Sequence, residues 1–240
     1  MNIFGFAQAF FGDSANWQGY DGIPQRFLEH LQYSLLALAV AAAIGLPVGL
    51  LTGHTGRGGN ALAFIANAAR ALPSFGLLVL VVLLIGFGLL PVMIPLVVLA
   101  VPPILVTTYE AVRTVDPSPV DAARGMGMPE SRILFQVEVP VALPLILSGL
   151  RSAAIQIVST ATIAAYVSLG GLGRYIIDGL YQRDYEKVVG GATLVAFLAL
   201  VTLVLFWAAG RFVVSPGVRR RQRRKGRAKN PRARPAECQP

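Results

Sequence analysis

The chain contains 240 residues, of which 55% are hydrophobic and only 14% are charged, and its mean hydropathy is +0.62. This composition excludes an ordinary soluble domain and indicates a multi-pass membrane protein. Ten arginines and lysines between residues 219 and 234, together with Glu237, account for the whole net charge of +9, so the rest of the chain is neutral overall. The only cysteine, Cys238, excludes an intrachain disulfide and a cysteine metal site.

Residues 1–30 are predicted to form an extracytoplasmic segment at the membrane interface. Short apolar fragments are broken by Asp13, Asp21 and Pro24, so the basic start and unbroken apolar core of a cleavable signal peptide are missing. Aromatic residues recur between positions 4 and 20, as is typical of interfacial segments. A loosely ordered tail is the alternative.

Residues 31–210 are predicted to form an all-α transmembrane domain with about five spans. Each apolar stretch is of roughly the length needed to cross a hydrocarbon core of ~30 Å. Pro47 predicts a kink in the first span, and Pro102-Pro103 would interrupt the third, which is tolerated only where neighbouring helices or a cavity satisfy the backbone. The predicted spans cover about residues 31–52, 72–90, 92–108, 141–167 and 188–209.

The distribution of positive charge predicts that the N-terminus lies outside and the C-terminus inside the cell. This orientation places Arg57, Arg70, the polar stretch 116–140 and the basic tail 211–240 in the cytoplasm. The tail is predicted to be disordered and to be attracted to anionic lipid headgroups. Nucleic-acid binding is disfavoured because no aromatic or folded module accompanies the charge.

The polar stretch 116–140, which we call the coupling loop, lies between two apolar blocks. Asp116 can cap a helix that begins at Pro117, and the glycines around Gly127 permit a sharp turn. Pro129 can then start a second short helix, which is expected to stop near Pro140. The sequence therefore predicts two short helices joined by a glycine corner.

The coupling loop resembles the cytoplasmic E-A-A loop of bacterial ABC importer permeases. Asp121-Ala122-Ala123 is followed after three residues by Gly127, and after nine more by V-x-V-P ending at Pro140. The family pattern is E-A-A, three residues, G, nine residues, I-x-L-P, so every spacing fits. The resemblance implies that these residues dock into an ATP-binding subunit. An i,i+3 surface pair of Asp121 and Arg124 is the alternative.

The same resemblance implies a type I ABC importer permease fold in the cell membrane. Its implied partners are an ATP-binding subunit, a second permease subunit (identical or paralogous), an extracytoplasmic substrate-binding protein and membrane lipid. The chain contains no G-x-x-x-x-G-K-[ST] phosphate loop, so it is not expected to be an enzyme, and ATP would be hydrolysed on the partner. No cofactor or metal is expected; His30 and His54 are isolated in sequence and predicted to be interfacial or loop residues.

Several stretches are similar to the osmoprotectant branch of these permeases, which carries glycine betaine, carnitine, choline or proline. They include Ile44–Gly49, Leu72–Phe75, Ala122–Met128 and Gly170–Gly173. A permease for methionine or another amino acid is the nearest alternative. A membrane scaffold or a non-ABC transporter is a further one, although we find neither the internal repeats nor the paired intramembrane charges expected of a secondary transporter.

The fourth span carries the candidate translocation path and gate. Hydroxyls at Ser159, Thr160 and Thr162 could line the path, or bond back to their own helix. Gly170, Gly171 and Gly173 form a candidate gate, or simply a tight exit from the helix. Arg151 is expected to reach the interface or another helix rather than the path.

Overall fold

A computed structural model describes residues 2–167 and 169–213, which are mostly helical and contain no strand within these ranges. The α-helices in the described ranges are α1 (Ile3–Gly12), α2 (Ile23–Thr55), α3 (Gly59–Ala71), α4 (Ser74–Ile85), α5 (Leu89–Arg113), α6 (Pro117–Gly125), α7 (Glu130–Arg132), α8 (Val139–Thr160), α9 (Gly173–Gln182) and α10 (Tyr185–Val213). Short 3₁₀ segments cover Ser14–Trp17 and Ala161–Val167, and a π-helical turn covers Ile133–Glu138. Cys238 and the ten basic residues between positions 219 and 234 lie outside the described residues.

Four helical stretches in the described ranges are long and apolar enough to cross a membrane: α2, α5, Glu130–Val167, and α10 through Phe212. They correspond to the first, third, fourth and fifth predicted spans. α2 begins at Ile23 rather than near Leu31, because Pro24 occupies its first turn, where a missing N–H removes no helical hydrogen bond. α5 passes through Pro102 and Pro103 without ending, so the predicted interruption does not occur.

The second predicted span takes a different form. α3 and α4 meet at 85°, and only together are they long and apolar enough to cross a membrane. α4 alone has 12 residues, which is about 18 Å of helix, short of the ~30 Å hydrocarbon core. One continuous helix over residues 72–90 is therefore wrong. Leu72 precedes Pro73 and is held in an extended conformation, and Gly86 ends α4 with a φ of +87°.

α2 and α5 pack closely along a row of small residues. Ala37, Ala41, Gly45, Gly49 and Gly53 recur every four positions on α2, and all are buried. A Cβ atom on Gly49 would lie 2.7 Å from a side-chain carbon and 2.8 Å from a backbone oxygen of α5. The two backbones therefore approach as in small-xxx-small membrane helix pairs. α8 packs against both, and α10 packs against α8 and α9.

The N-terminal segment is docked rather than loosely attached. Phe10 is 1% exposed and packs edge-on against Tyr175 of α9, with ring centroids 5.2 Å apart. Gly190 of α10 lies so close to the Phe10 ring that any side chain there would overlap it. Asn16 and Trp17 donate side-chain hydrogen bonds of 2.9 Å to carbonyls of α1. α1 is thus held to the C-terminal helices by aromatic packing.

Candidate functional site

The first arm of the coupling loop is α6. The Ser118 N–H donates to Asp116 Oδ1 at 3.2 Å, which confirms the predicted cap. Gly127 has a φ of +80°, which confirms the glycine corner. Asp121 and Ala122 face solvent, whereas Ala123 is only 2% exposed and packs with Val120 and Ile133. Ala123, unlike the neighbouring Asp121 and Ala122, therefore belongs to the protein's own core.

The second arm does not stop at Pro140, so the prediction of a second short helix is wrong. The chain is helical from Glu130 to Thr160. The helix continues past Pro140 because a π turn lies immediately before it. There the Val139 N–H donates to the Leu134 carbonyl, five residues back. The wide turn changes the hydrogen-bond register just before a residue that has no N–H, so Pro140 fits the first turn of α8. The coupling loop is thus continuous with the fourth span.

A chain of charged contacts crosses the coupling loop. Arg124 binds Glu130 through two hydrogen bonds of 2.9 and 3.1 Å, and it lies 3.6 Å from Asp121. The hydrogen bonds to Glu130 raise the pKa of Arg124. His54 continues the chain: its Nε2 lies 3.1 Å from Glu130 Oε2, and its Nδ1 lies 2.6 Å from Glu138 Oε2. The surface pair of Asp121 and Arg124 exists, but it is the weaker part of this network.

Sequence reasoning missed the contacts of His54, which was expected to be an interfacial or loop residue. Its position in the last turn of α2 was the available signal, because this turn lies on the same predicted side of the membrane as the coupling loop. Linear distance hid the contact, since 84 residues separate His54 from Glu138.

The candidate path residues lie where α8 gives way to the 3₁₀ segment Ala161–Val167. Thr162 Oγ1 donates to the Ser159 carbonyl at 2.7 Å, so this hydroxyl does bond back to its own helix. Ser159 is exposed, and Thr160 and Thr162 are half-buried. Arg151, two turns earlier on α8, is half-buried and makes no hydrogen bond or ion pair with other described residues.

Two of the candidate gate glycines, Gly170 and Gly171, press against the start of α2. Gly171 has a φ of +88°, and its N–H donates to Glu29 Oε2 at 2.8 Å. A Cβ on Gly170 would overlap the Glu29 carboxylate, and one on Gly173 would overlap the carbonyl of Thr162. Another group therefore approaches the backbone closely at Gly170 and Gly173, which leaves no room for a side chain, whereas the positive φ of Gly171 favours glycine there.

Charged residues in the first turns of α2 hold this contact in place, and sequence reasoning did not assign them a role. Arg26 binds Glu29 Oε2 at 2.9 Å and also pairs with Asp21. We call Arg26, Glu29, Gly170 and Gly171 the glycine latch. The Tyr175 hydroxyl donates to the Asp21 carbonyl at 2.6 Å, and burial raises the pKa of Tyr175 to about 12. This hydroxyl thus stays protonated, as its hydrogen bond requires.

The apolar helices, with a polar helical corner between the third and fourth spans, define a multi-pass membrane protein. Residues 45–220 match the family described as the binding-protein-dependent transport system inner membrane component. The chain belongs to this family. It is accordingly a membrane permease subunit, and the predicted resemblance to ABC importer permeases is confirmed.

Relatives and a solved structure agree with this assignment. The carnitine transport permease protein OpuCB of Listeria monocytogenes is 34% identical over 72% of this chain and 79% of that protein. The choline transport system permease protein OpuBB of Bacillus subtilis (strain 168) is 32% identical over 80% and 88%, respectively. An inward-facing structure of the MetNI methionine ABC transporter aligns with a TM-score of 0.69 and 25% identity, covering 78% of this chain and 94% of that chain.

Proposed function

We propose that this chain is the permease subunit of an ABC importer that carries an osmoprotectant of the glycine betaine, carnitine, choline or proline type into the cell. The observation that carries this proposal is the similarity, over more than two thirds of the chain, to permeases named for carnitine and choline. The methionine transporter supports the fold, but the more similar sequences favour an osmoprotectant over an amino acid.

The energy comes from ATP hydrolysis on a partner subunit that docks on the coupling loop. Asp121, Ala122 and Gly127 are exposed, and no atom lies within 4 Å of a Cβ built on Gly127, so this surface is open to a partner. Ala123 transmits the partner's movement inward because it packs on Ile133 in the π turn. Pro140 lies in the first turn of α8, so the movement continues along the fourth span.

At the far end of α8, the substrate passes beside Ser159, Thr160 and Thr162. The glycine latch, together with Gly173, closes the path on the extracytoplasmic side, because the latch ties the end of the fourth span to the start of α2. In this orientation the N-terminus lies outside and the coupling loop inside. A cytoplasmic reporter fused after Gly127 should be active and one fused after Asp184 silent; the reverse pattern would invert the topology.

Substrate class is tested by reconstitution. The chain, its ATP-binding subunit and its binding protein are placed in liposomes, and ATP-dependent uptake of labelled glycine betaine, carnitine, choline, proline and methionine is compared. We expect uptake of at least one osmoprotectant to exceed that of methionine. ATP-dependent uptake of methionine alone would favour the amino-acid alternative, and uptake without ATP would exclude an ABC importer.

A further inference from the structure

His54 is placed between two carboxylates at the end of α2. Its side chain is 12% exposed, Glu138 is 7% exposed, and Glu130 is 57% exposed. Each ring nitrogen lies within hydrogen-bonding distance of a different carboxylate oxygen. A neutral imidazole has a single N–H, whereas the imidazolium has two. Both contacts can therefore be hydrogen bonds to ionised carboxylates only when His54 carries two ring protons.

We propose that His54 is a proton-dependent positioning residue that links α2 to the coupling loop, and so makes coupling between ATP hydrolysis and transport sensitive to cytoplasmic pH. The proposal rests on the proposed function, because it assumes that the coupling loop receives the ATP-binding subunit. It adds a second route for movement, through α2, to the route that runs along α8.

The surroundings of His54 explain why this link can transmit movement. The preceding residue, Gly53, packs so closely on α5 that a Cβ there would lie 2.8 Å from Val112. α2 and α5 therefore move as one unit at this level. On the other side, Glu130 is held by Arg124 of α6, the exposed docking helix. His54 thus joins the α2–α5 pair to the helix that receives the partner.

Loss of one proton would weaken this link selectively. Glu138 has no other ion-pair partner among the described residues, so neutral His54 keeps its Nδ1–H on that buried carboxylate. The Nε2 lone pair then faces Glu130, which can turn away because it is exposed and retains Arg124. The contact to the coupling loop is lost while the contact to Glu138 remains.

Other charged or titratable groups approach this turn from neighbouring elements. Arg113 of α5 reaches to within 3.4 Å of a Cβ built on Gly56, and the Tyr109 ring of α5 lies against Gly59. Arg57 is exposed on the loop after α2. The contacts of both His54 ring nitrogens are nevertheless to Glu130 and Glu138, so these two carboxylates set the response.

The test measures transported substrate per ATP hydrolysed in reconstituted complexes between about pH 5.5 and pH 8, where a histidine side chain changes charge. We expect this ratio to fall by about two- to fivefold as pH rises, the size expected for a partly exposed ion pair. His54→Gln, which is neutral throughout, should show a flat ratio at the high-pH level. Glu130→Gln should also flatten the ratio, because its amide can pair with neutral imidazole. A purely structural role for His54 would lower the ratio without changing its pH dependence.

The binding protein and ATP-binding subunit are the same in all samples, so their own pH effects cancel between wild type and variants. Equal pH profiles for wild type, His54→Gln and Glu130→Gln would overturn the proposal.

Nitrogen-15 NMR of the solubilised chain gives a readout that needs no transport. The sequence has only two histidines, and His30→Gln assigns their signals. His54 should lose its Nε2 proton as pH rises while retaining the Nδ1 proton. Failure of the proposed function would leave this pattern of ring protons intact, whereas failure of the link would leave no preference for the Nδ1 proton over the Nε2 proton.

Discussion

Replacing Gly127 with aspartate separates the docking role of the coupling loop from the stability of the fold. Gly127 has a φ of +80°, and a Cβ built on it meets no atom within 4 Å. The new side chain therefore has room within the chain, and its intrinsic cost is the left-handed backbone. That cost is about 1–2 kcal/mol for an ordinary L-residue, and aspartate is among the residues that tolerate it best. Such a cost is small beside a typical folding stability of about 5–15 kcal/mol.

The docked complex should respond much more strongly. A carboxylate in a water-excluded contact without a partner loses at least the ~1–3 kcal/mol of an unsatisfied polar group. Because 1.4 kcal/mol corresponds to a factor of ten, binding of the ATP-binding subunit should weaken by about 5- to 140-fold. Uptake should therefore collapse while the protein stays folded.

The chain provides a control in Gly19. This residue, in the N-terminal segment before α2, has a φ of +81°, and a Cβ built on it also meets no atom within 4 Å. Gly19→Asp introduces the same charge at a positive φ far from the coupling loop in sequence. Uptake, ATPase activity and retention of the ATP-binding subunit are measured for both variants after reconstitution. Near-normal transport by Gly19→Asp is expected; normal coupled transport by Gly127→Asp, or equal losses in both, would refute the docking assignment.

Further variants test the packing, the latch and the path. Gly49→Ala should destabilise the α2–α5 pair by about 1–3 kcal/mol through overpacking, and an unchanged melting temperature in detergent would contradict this. Glu29→Ala leaves the Gly171 N–H without its acceptor, so hydrogen exchange at Gly171 should accelerate, and unchanged protection would argue against the latch. Cysteines at Ser159 and Thr162, in a chain lacking Cys238, should react with a polar thiol reagent to different extents in different nucleotide states; uniform protection would exclude this face from the path.

Local chemistry explains why parts of the coupling loop were predictable. The Asp116 cap, the first turn at Pro117 and the positive φ of Gly127 each depend on residues that are neighbours in sequence. The exposure of Asp121 and the burial of Ala123 were not predictable in this way. They follow from the side of α6 that meets Ile133, which is set only when the second arm folds back.

Proline had different consequences at different positions, and the sequence did not distinguish them. Pro73 separates α3 from α4, whereas α5 continues through Pro102 and Pro103, and Pro140 begins α8 without a break. A missing N–H ends a helix only when the surrounding turns cannot compensate. At Pro140 the π turn supplies the compensation, and such a turn has no distinct sequence pattern here.

The sequence by itself determined the membrane class, four continuous apolar helices and the spacing that identifies the coupling loop, because hydropathy and capping act over a few turns of chain. The tertiary structure decided which polar groups meet. Glu29 reaches Gly171 across 142 residues of sequence, and His54 reaches Glu138 across 84. Both contacts depend on the close packing of α2 within the bundle. The length of an apolar segment can be read from consecutive residues, whereas a polar contact between helices forms only after their backbones have been brought together.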